Sequence, residues 1–315
     1  MLIVNTSASS VTARARVIVH RALAAHHEVC LRETNRRGHA TRLAQGAAAD
    51  GLDAVVVLGG DGTLNEAANG LAQSATSLAI LPGGSTNVFA RTIGVVNDPI
   101  EATSQLLAAL AEGPPKRVGL GQLNGRYFLF HAGIGFDAAV VARVERLAIL
   151  KRYAGPAVFV TAALSTWARG YDRQRPTFSL DAGGRTLRDG YFSVCLNTDP
   201  YTYLGTRAVS VAPGTSLQTP LSLVTFQRLT LGALLPVLGA ALSGGSRVQR
   251  SKHVSFLAEV HRATVKGHRP VPYQLDGDYI GESELIELRW APDTLRLVLP
   301  PSDESQEGNP FITAP

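Results

Sequence analysis

Gly59-Gly60-Asp61-Gly62-Thr63-Leu64-Asn65-Glu66 follows directly on the apolar run Ala54-Val55-Val56-Val57-Leu58. A short apolar run bounded by glycine reads as a buried strand, and the segment beyond it reads as a helix. A strand that breaks into Gly-Gly-Asp-Gly-Thr and reopens as a helix makes a turn suited to phosphate. Glycine lets the main chain approach an anion and take positive φ. The helix start offers N–H groups without intrahelical partners at the positive end of the dipole. A nucleotide is expected at this turn.

Working outward, strand and helix signals alternate through residues 1–115. Leu2-Ile3-Val4, Val29-Cys30-Leu31, Ala54–Leu58 and Leu78-Ala79-Ile80-Leu81 read as strands. Helical stretches lie at about Val11–Ala25, Gly38–Ala49, Thr63–Leu71 and Pro99–Ala111. That alternation predicts an α/β domain with a mainly parallel sheet, whose ligands sit at the carboxyl ends of the strands. A second glycine turn, Pro82-Gly83-Gly84-Ser85-Thr86-Asn87, stands directly behind the last of these strands. Two such turns on one sheet edge make a cradle for a triphosphate. Asp61 then works through Mg²⁺ or orders a network of donors.

Glu112-Gly113-Pro114-Pro115 reads as a linker, and strand signals dominate residues 116–300. They predict a mostly antiparallel β-sandwich or distorted barrel, with a helical interruption at about Ala138–Arg169. Residues 301–315 read as a flexible tail. The longest apolar stretch, Leu229–Leu242, is too short to span a bilayer and contains Pro236. It reads as a buried helix or as a lipid-facing surface element.

The chain of 315 residues carries a formal net charge of +5, which suits an anionic partner or equally a mildly basic soluble protein. Its basic stretch, Arg247, Arg250, Lys252, His253, His261, Arg262, Lys266, His268 and Arg269, is interleaved with apolar residues. That pattern fits either a solvated sheet face or an anionic membrane surface. Nucleic acid is disfavoured because no aromatic platform accompanies the cations. Two cysteines, Cys30 and Cys195, and no secretory signal point to the cytoplasm. No Gly-Lys-Ser/Thr is present, which excludes a P-loop, and no Gly-x-Gly-x-x-Gly follows the first strand.

The two glycine turns, Gly-Gly-Asp-Gly-Thr-Leu-Asn-Glu and Leu-Pro-Gly-Gly-Ser-Thr-Asn-Val-Phe-Ala-Arg, resemble the diacylglycerol kinase catalytic domain shared by bacterial lipid kinases, diacylglycerol kinases and sphingosine kinases. The resemblance continues in order through Gly38-His39-Ala40, Gly133-Ile134-Gly135-Phe136-Asp137-Ala138, Arg152-Tyr153-Ala154-Gly155-Pro156-Ala157 and Asp276-Gly277-Asp278. It covers about residues 1–290 and implies an NAD-kinase/diacylglycerol-kinase-like fold. It also implies transfer of the γ-phosphoryl of ATP, carried with Mg²⁺, to a lipid hydroxyl in a cleft between domains. Diacylglycerol is the default acceptor, and peripheral contact with the inner face of the membrane follows.

By position, the resemblance assigns Asn5, Thr6, Ser7 and Ser9 to the first nucleotide turn and Thr34 to the adenine. Gly60, Asp61, Gly62, Thr63, Asn65 and Glu66 form the phosphate turn, and Gly84, Ser85 and Asn87 the second. Asp278 takes the place of the general-base glutamate, Asp61 shares the catalytic assignment, and His39 and Asp276 support. Asp278 also lies in a plain hairpin signature, Tyr273-Gln274-Leu275-Asp276-Gly277-Asp278.

Three positions depart from the family pattern. Asn5-Thr6-Ser7-Ala8-Ser9 lacks its Pro and Gly, and His131 stands where Asn is usual. Thr219-Pro220 replaces an Asp-Gly whose Asp holds a structural Mg²⁺, so no structural metal is expected there. Two other readings share part of this pattern. NAD kinase has the same Gly-Gly-Asp-Gly-Thr turn, and a homologue could bind nucleotide without turnover. The Gly-Phe-Asp-Ala segment and the Asp-Gly-Asp turn favour the lipid kinase.

Overall fold

The inner strands of the parallel sheet are short and apolar on both faces, while its edge strand Leu31–Glu33 is largely exposed. In the computed structural model, which describes residues 1–146, 165–166 and 175–301, β1 (Leu2–Val4), β2 (Leu31–Glu33), β3 (Ala54–Gly59) and β4 (Ser77–Pro82) lie in the order β2-β1-β3-β4, all parallel. Val55, Val57, Leu58, Leu78, Ala79 and Leu81 are all but fully buried, as strands covered on both faces require. The helices α1 (Ala13–Ala24), α2 (His39–Ala49), α3 (Asp61–Leu71), α4 (Val88–Thr92) and α5 (Pro99–Glu112) connect and flank them.

Local chemistry sets the helix ends. Thr12 accepts from the Ala15 N–H at the start of α1. Asp98 accepts from Ile100 and Glu101 ahead of α5, with Pro99 in the first turn. α2 and α3 approach closely. A Cβ on Gly70 would lie 2.5 Å from the Thr41 carbonyl and 2.7 Å from the Ala44 Cβ.

The chain divides into two units, and the first takes in Met1–Leu120 and regains the chain at Pro292. The returning segment places Arg296 and Leu297 beside Ser77 and Leu78, parallel to β4.

The second unit, Gly121–Ala291, is built on an antiparallel ladder. Its strands begin with β5 (Lys116–Leu123), which enters from the first unit, β6 (Arg126–Phe128) and β7 (His131–Gly135). After α6 (Phe136–Arg146) come β8 (Phe178–Ala182), β9 (Arg185–Gly190), β10 (Phe192–Leu196), β11 (Thr202–Leu204), β12 (Arg207–Val209) and β13 (Leu221–Phe226). The helix Leu231–Leu242 precedes β14 (Val254–Val260), β15 (Arg262–Leu275) and β16 (Asp278–Leu297). The ladder runs β14-β13-β10-β7-β15-β16, with β15 also pairing β8 through Ala263–Gly267.

Strands β10 and β13 are buried on both faces, and their period of two divides the core. Cys195, Leu221 and Leu223 pack with Ile134, Phe178, Val265 and Ile286. Phe192, Val194, Val224 and Phe226 pack with Val140 and Val144 of α6 and Val237 and Ala241 of the later helix. Sheet therefore covers one face and helices the other.

Sequence pattern alone predicts separate strands at Arg262–Val265 and Tyr273–Leu275 where β15 is one strand, a strand only from Thr294 where β16 begins at Asp278, and none at β9, β11 or β12. Pro270 and Pro272 interrupt the apolar pattern of β15, and β9 is largely exposed. The Arg152–Ala157 motif and residues 302–315 of the tail lie outside the described residues.

Candidate functional site

The glycine turns stand at the carboxyl ends of adjacent strands, with Gly59 in register with Pro82. They pack back to back. The Gly83 N–H donates to the Gly59 carbonyl at 2.8 Å. A Cβ on Gly84 would lie 2.8 Å from the Gly60 Cα, and one on Gly83 would lie 3.0 Å from the Gly59 Cα. Glycine is needed here for main-chain approach, whatever ligand the turns receive.

The polar residues of these turns are engaged with one another. The Asp61 carboxylate receives the N–H groups of Val88 (3.0 Å) and Phe89 (3.1 Å), so it caps α4 and ties the first turn to the second. Glu66 does the same for α2, accepting from Gly38 (2.7 Å) and Ala40 (3.1 Å). Asn87, in the left-handed region at φ 49, closes the second turn by accepting from the Gly84 N–H and donating to the Gly84 carbonyl. Asn5 donates to the Thr63 hydroxyl at 2.8 Å, and Ser10 donates to the Gly84 carbonyl at 3.2 Å. The loop after β1 is thereby joined to both turns.

Thr6, Ser7, Ser9 and Ser85 are exposed, and Gly60, Gly62 and Thr34 are half-buried. Asn65 is buried and receives Asn69 on its carbonyl. Thr34 hydrogen-bonds through its N–H to Val4 at the end of β1. His39 accepts the Asn35 N–H on Nδ1, a contact within its own loop. At the start of α3, Gly60 provides no side-chain cap. The structure thus gathers Asn5, Gly60, Asp61, Thr63, Gly84 and Asn87 at one sheet edge, with Glu66 and His39 at the neighbouring start of α2.

The Asp276-Gly277 pair forms the two-residue turn of the β15–β16 hairpin, with Leu275 opposite Asp278. Both turn residues have positive φ, 48 and 82, the conformation a two-residue hairpin demands. Asp276 is buried, and its carboxylate receives three N–H groups, from Leu129 (2.7 Å), Phe130 (3.0 Å) and His131 (3.1 Å). That arrangement fixes the turn, and it leaves the half-exposed Asp278 at the start of β16.

Behind the turn lies a network whose roles the sequence does not reveal. The Gly277 N–H donates to Gln274, and Gln274 donates to Asp137 at 2.8 Å. Tyr201 donates to the other oxygen of Asp137 at 2.5 Å. A Cβ on Gly133 would lie 1.7 Å from the Asp137 carboxylate, which explains the first glycine of Gly-Ile-Gly-Phe-Asp in this chain. Burial, with Asp137 adding to it, raises the Tyr201 phenol well above its ordinary range and keeps it a donor. The ring of His131 lies 4.5 Å from that of Tyr201. Burial lowers His131 to about 4 against a smaller raising effect of Asp137, and its Nδ1 has no partner among the described residues. The motif Gly133–Ala138, which contains Asp137, and the departure at His131 are the sequence signals that fall in this network.

Thr219 closes a local turn, accepting from the Ser216 N–H and donating to the Ser216 carbonyl. Among the described residues no group of three or more His, Cys, Asp or Glu is placed to hold a metal. No described helix is long and apolar enough to cross a membrane.

Residues 1–122 match the diacylglycerol kinase catalytic domain. Similar proteins match the chain to differing extents. A Chromohalobacter salexigens protein named "Probable lipid kinase YegS-like" is 38% identical over 48% of this chain, which spans about half, 49%, of that relative. One of the same name from Pseudomonas aeruginosa is 29% identical over 92% of this chain and 89% of its own. The diacylglycerol kinase of Bacillus subtilis is 37% identical over 35% of this chain and 36% of its own. The crystal structure of a diacylglycerol kinase from Bacillus anthracis aligns at a TM-score of 0.69 and 20% identity, covering 95% of this chain and 96% of the other. That last likeness is one of fold.

Proposed function

We propose that the protein is an ATP-dependent lipid kinase that moves the γ-phosphoryl group of ATP to a lipid hydroxyl, diacylglycerol by default. The observation that carries this reading is the pair of interlocked glycine turns at the carboxyl ends of β3 and β4, inside a diacylglycerol kinase catalytic domain. Backbone N–H groups at the uncapped start of α3, with Thr63 and the exposed hydroxyls of Thr6, Ser7, Ser9 and Ser85, receive the phosphates. Thr34 faces the adenine.

Mg²⁺ arrives as part of the substrate, MgATP. Both oxygens of Asp61 and both of Glu66 already accept N–H groups, so these carboxylates shape the cradle that receives it. Phosphoryl transfer then asks for position and for a proton acceptor. The lipid oxygen bonds to the γ-phosphorus, the bond to the ADP oxygen breaks, and Asp278 takes the hydroxyl proton. Asp276 holds the turn on which Asp278 stands. The product is a phosphorylated lipid that serves phospholipid synthesis. The protein works in the cytoplasm, at the inner membrane face, where its acceptor resides.

The test is transfer from γ-labelled ATP, with Mg²⁺, to diacylglycerol, ceramide-like, glycolipid and isoprenoid alcohol acceptors and to NAD. Label in a lipid is expected. Label in NAD alone makes the protein an NAD kinase, and label nowhere, with ATP still bound, makes it a nucleotide-binding homologue without turnover. Either outcome overturns the reading.

A further inference from the structure

The helix Leu231–Leu242 has no polar or charged side chain. A helix that is apolar all round belongs in a core or against lipid, and this one is only half covered. Ala233, Val237 and Ala241, spaced by four, are its buried face. Leu231, Leu235 and Leu238 lie on the other side and are 44%, 60% and 48% exposed. Leu234 and Leu242 are half-buried against the core, but two of the three fully covered positions are alanines while three leucines face solvent, the reverse of what burial within the fold selects.

The surroundings are strongly segregated in charge. From Pro200 to Ala258 the chain has no Asp or Glu, and Arg207, Arg228, Arg247, Arg250 and Lys252 are all exposed. Their five positive charges equal the net charge of the whole protein, +5. None of them pairs with a carboxylate among the described residues. Arg207 donates to the Leu242 carbonyl at the end of the helix. Arg247 and Lys252 line one groove with Pro236 and Gly239 of the helix.

We propose that this face docks the protein on an anionic bilayer, with Leu231, Leu235 and Leu238 entering the acyl boundary and Arg247, Arg250 and Lys252 lying on the lipid phosphates. Leucines flanked by unpaired cations match the two attractions such a surface offers, apolar burial and negative surface potential. A second copy of this chain is a poorer occupant, because a self-complementary contact would bring like charges together. The proposal deepens the lipid-kinase reading by naming the surface through which the enzyme meets its acceptor. Vesicle binding is measured without nucleotide, so the two stand or fall separately.

The experiment is cosedimentation of the full chain with phosphatidylcholine vesicles and with phosphatidylcholine–phosphatidylglycerol vesicles. The native protein is expected to prefer the anionic vesicles by about tenfold or more and to release as salt rises. Leu235→Ser with Leu238→Ser is expected to lose about tenfold or more of that binding, since both leucines are deleted from the buried apolar area. Arg247→Glu with Lys252→Glu is expected to abolish the preference for anionic lipid. Both variants change exposed positions and should keep the native melting temperature. Transfer to a short-chain, monodisperse acceptor should be unchanged in the leucine variant. Equal binding to neutral and anionic vesicles, or native binding by the leucine variant, overturns the proposal. So does a native dimer that the leucine substitutions convert to monomer. A native protein that binds anionic vesicles yet phosphorylates no lipid overturns the proposed function and leaves the docking face standing.

Discussion

Asp61 in the first unit and Asp276 in the second do the same physical work on different scales. Each is a motif carboxylate that collects main-chain N–H groups. Asp61 is half-buried and receives two of them from the start of a helix. Asp276 is buried and receives three from a segment some 145 residues earlier in the chain. The first unit builds its site from neighbouring turns of one parallel sheet. The second builds its site from distant segments locked by buried polar groups. Buried polar groups are costly to leave without partners, so the second region should be the more fragile to single substitutions and the first the more tolerant.

The largest effect is expected at Asp276. Asp276→Ala strands three N–H groups in the interior and should cost about 4 kcal/mol of stability, read from the urea midpoint. If the loss is no greater than that of Asp61→Ala, the contrast between the regions fails.

Next comes the acid response of His131. Its folded value, about 4, lies below the ordinary 6.5 because burial disfavours the charged ring. Between those values the unfolded chain binds a proton that the folded chain does not. The stability His131 contributes is therefore complete above pH 6.5 and is lost as pH falls toward 4, by about 3 kcal/mol across the window. His131→Asn should flatten that slope, and parallel native and variant curves would sink the assignment.

Gly133→Ala should come third, at about 2 kcal/mol. Its new methyl displaces the Asp137 carboxylate and with it the contacts to Gln274 and Tyr201. Turnover should fall with stability, because the hairpin that carries Asp278 loses its support through Gln274 and Gly277.

The smallest effect belongs to the first unit. Thr63→Val removes the acceptor for Asn5 and should cost about 1 kcal/mol of stability. It should raise the KM for ATP more than it lowers kcat, a split that steady-state kinetics resolves.

The same contrast explains what could be read from the chain. In the first unit the strands Leu2–Val4 and Ala54–Gly59 and the turns behind β3 and β4 follow from local patterns, because each turn sits next to the strand that presents it. The hairpin at Asp276-Gly277 was legible for the same reason. The ties between Asp276 and Leu129, or between Gln274 and Asp137, were not. They join residues on segments paired only by the antiparallel ladder, and no local spacing encodes that register. β15 escaped recognition as one strand because Pro270 and Pro272 break its pattern while its flanks still pair. The outward leucines of the Leu231–Leu242 helix were hidden because a helix without a polar face carries no periodic signal to say which side is covered.

The most direct test of this division of labour is γ-phosphoryl transfer to lipid by Asp278→Asn, with ATP affinity measured on the same preparation. The account predicts a fall in kcat of about a hundredfold or more, the scale of a lost general base, with the dissociation constant for ATP unchanged. Native turnover in this variant, or a loss that lies wholly in ATP affinity, would contradict it.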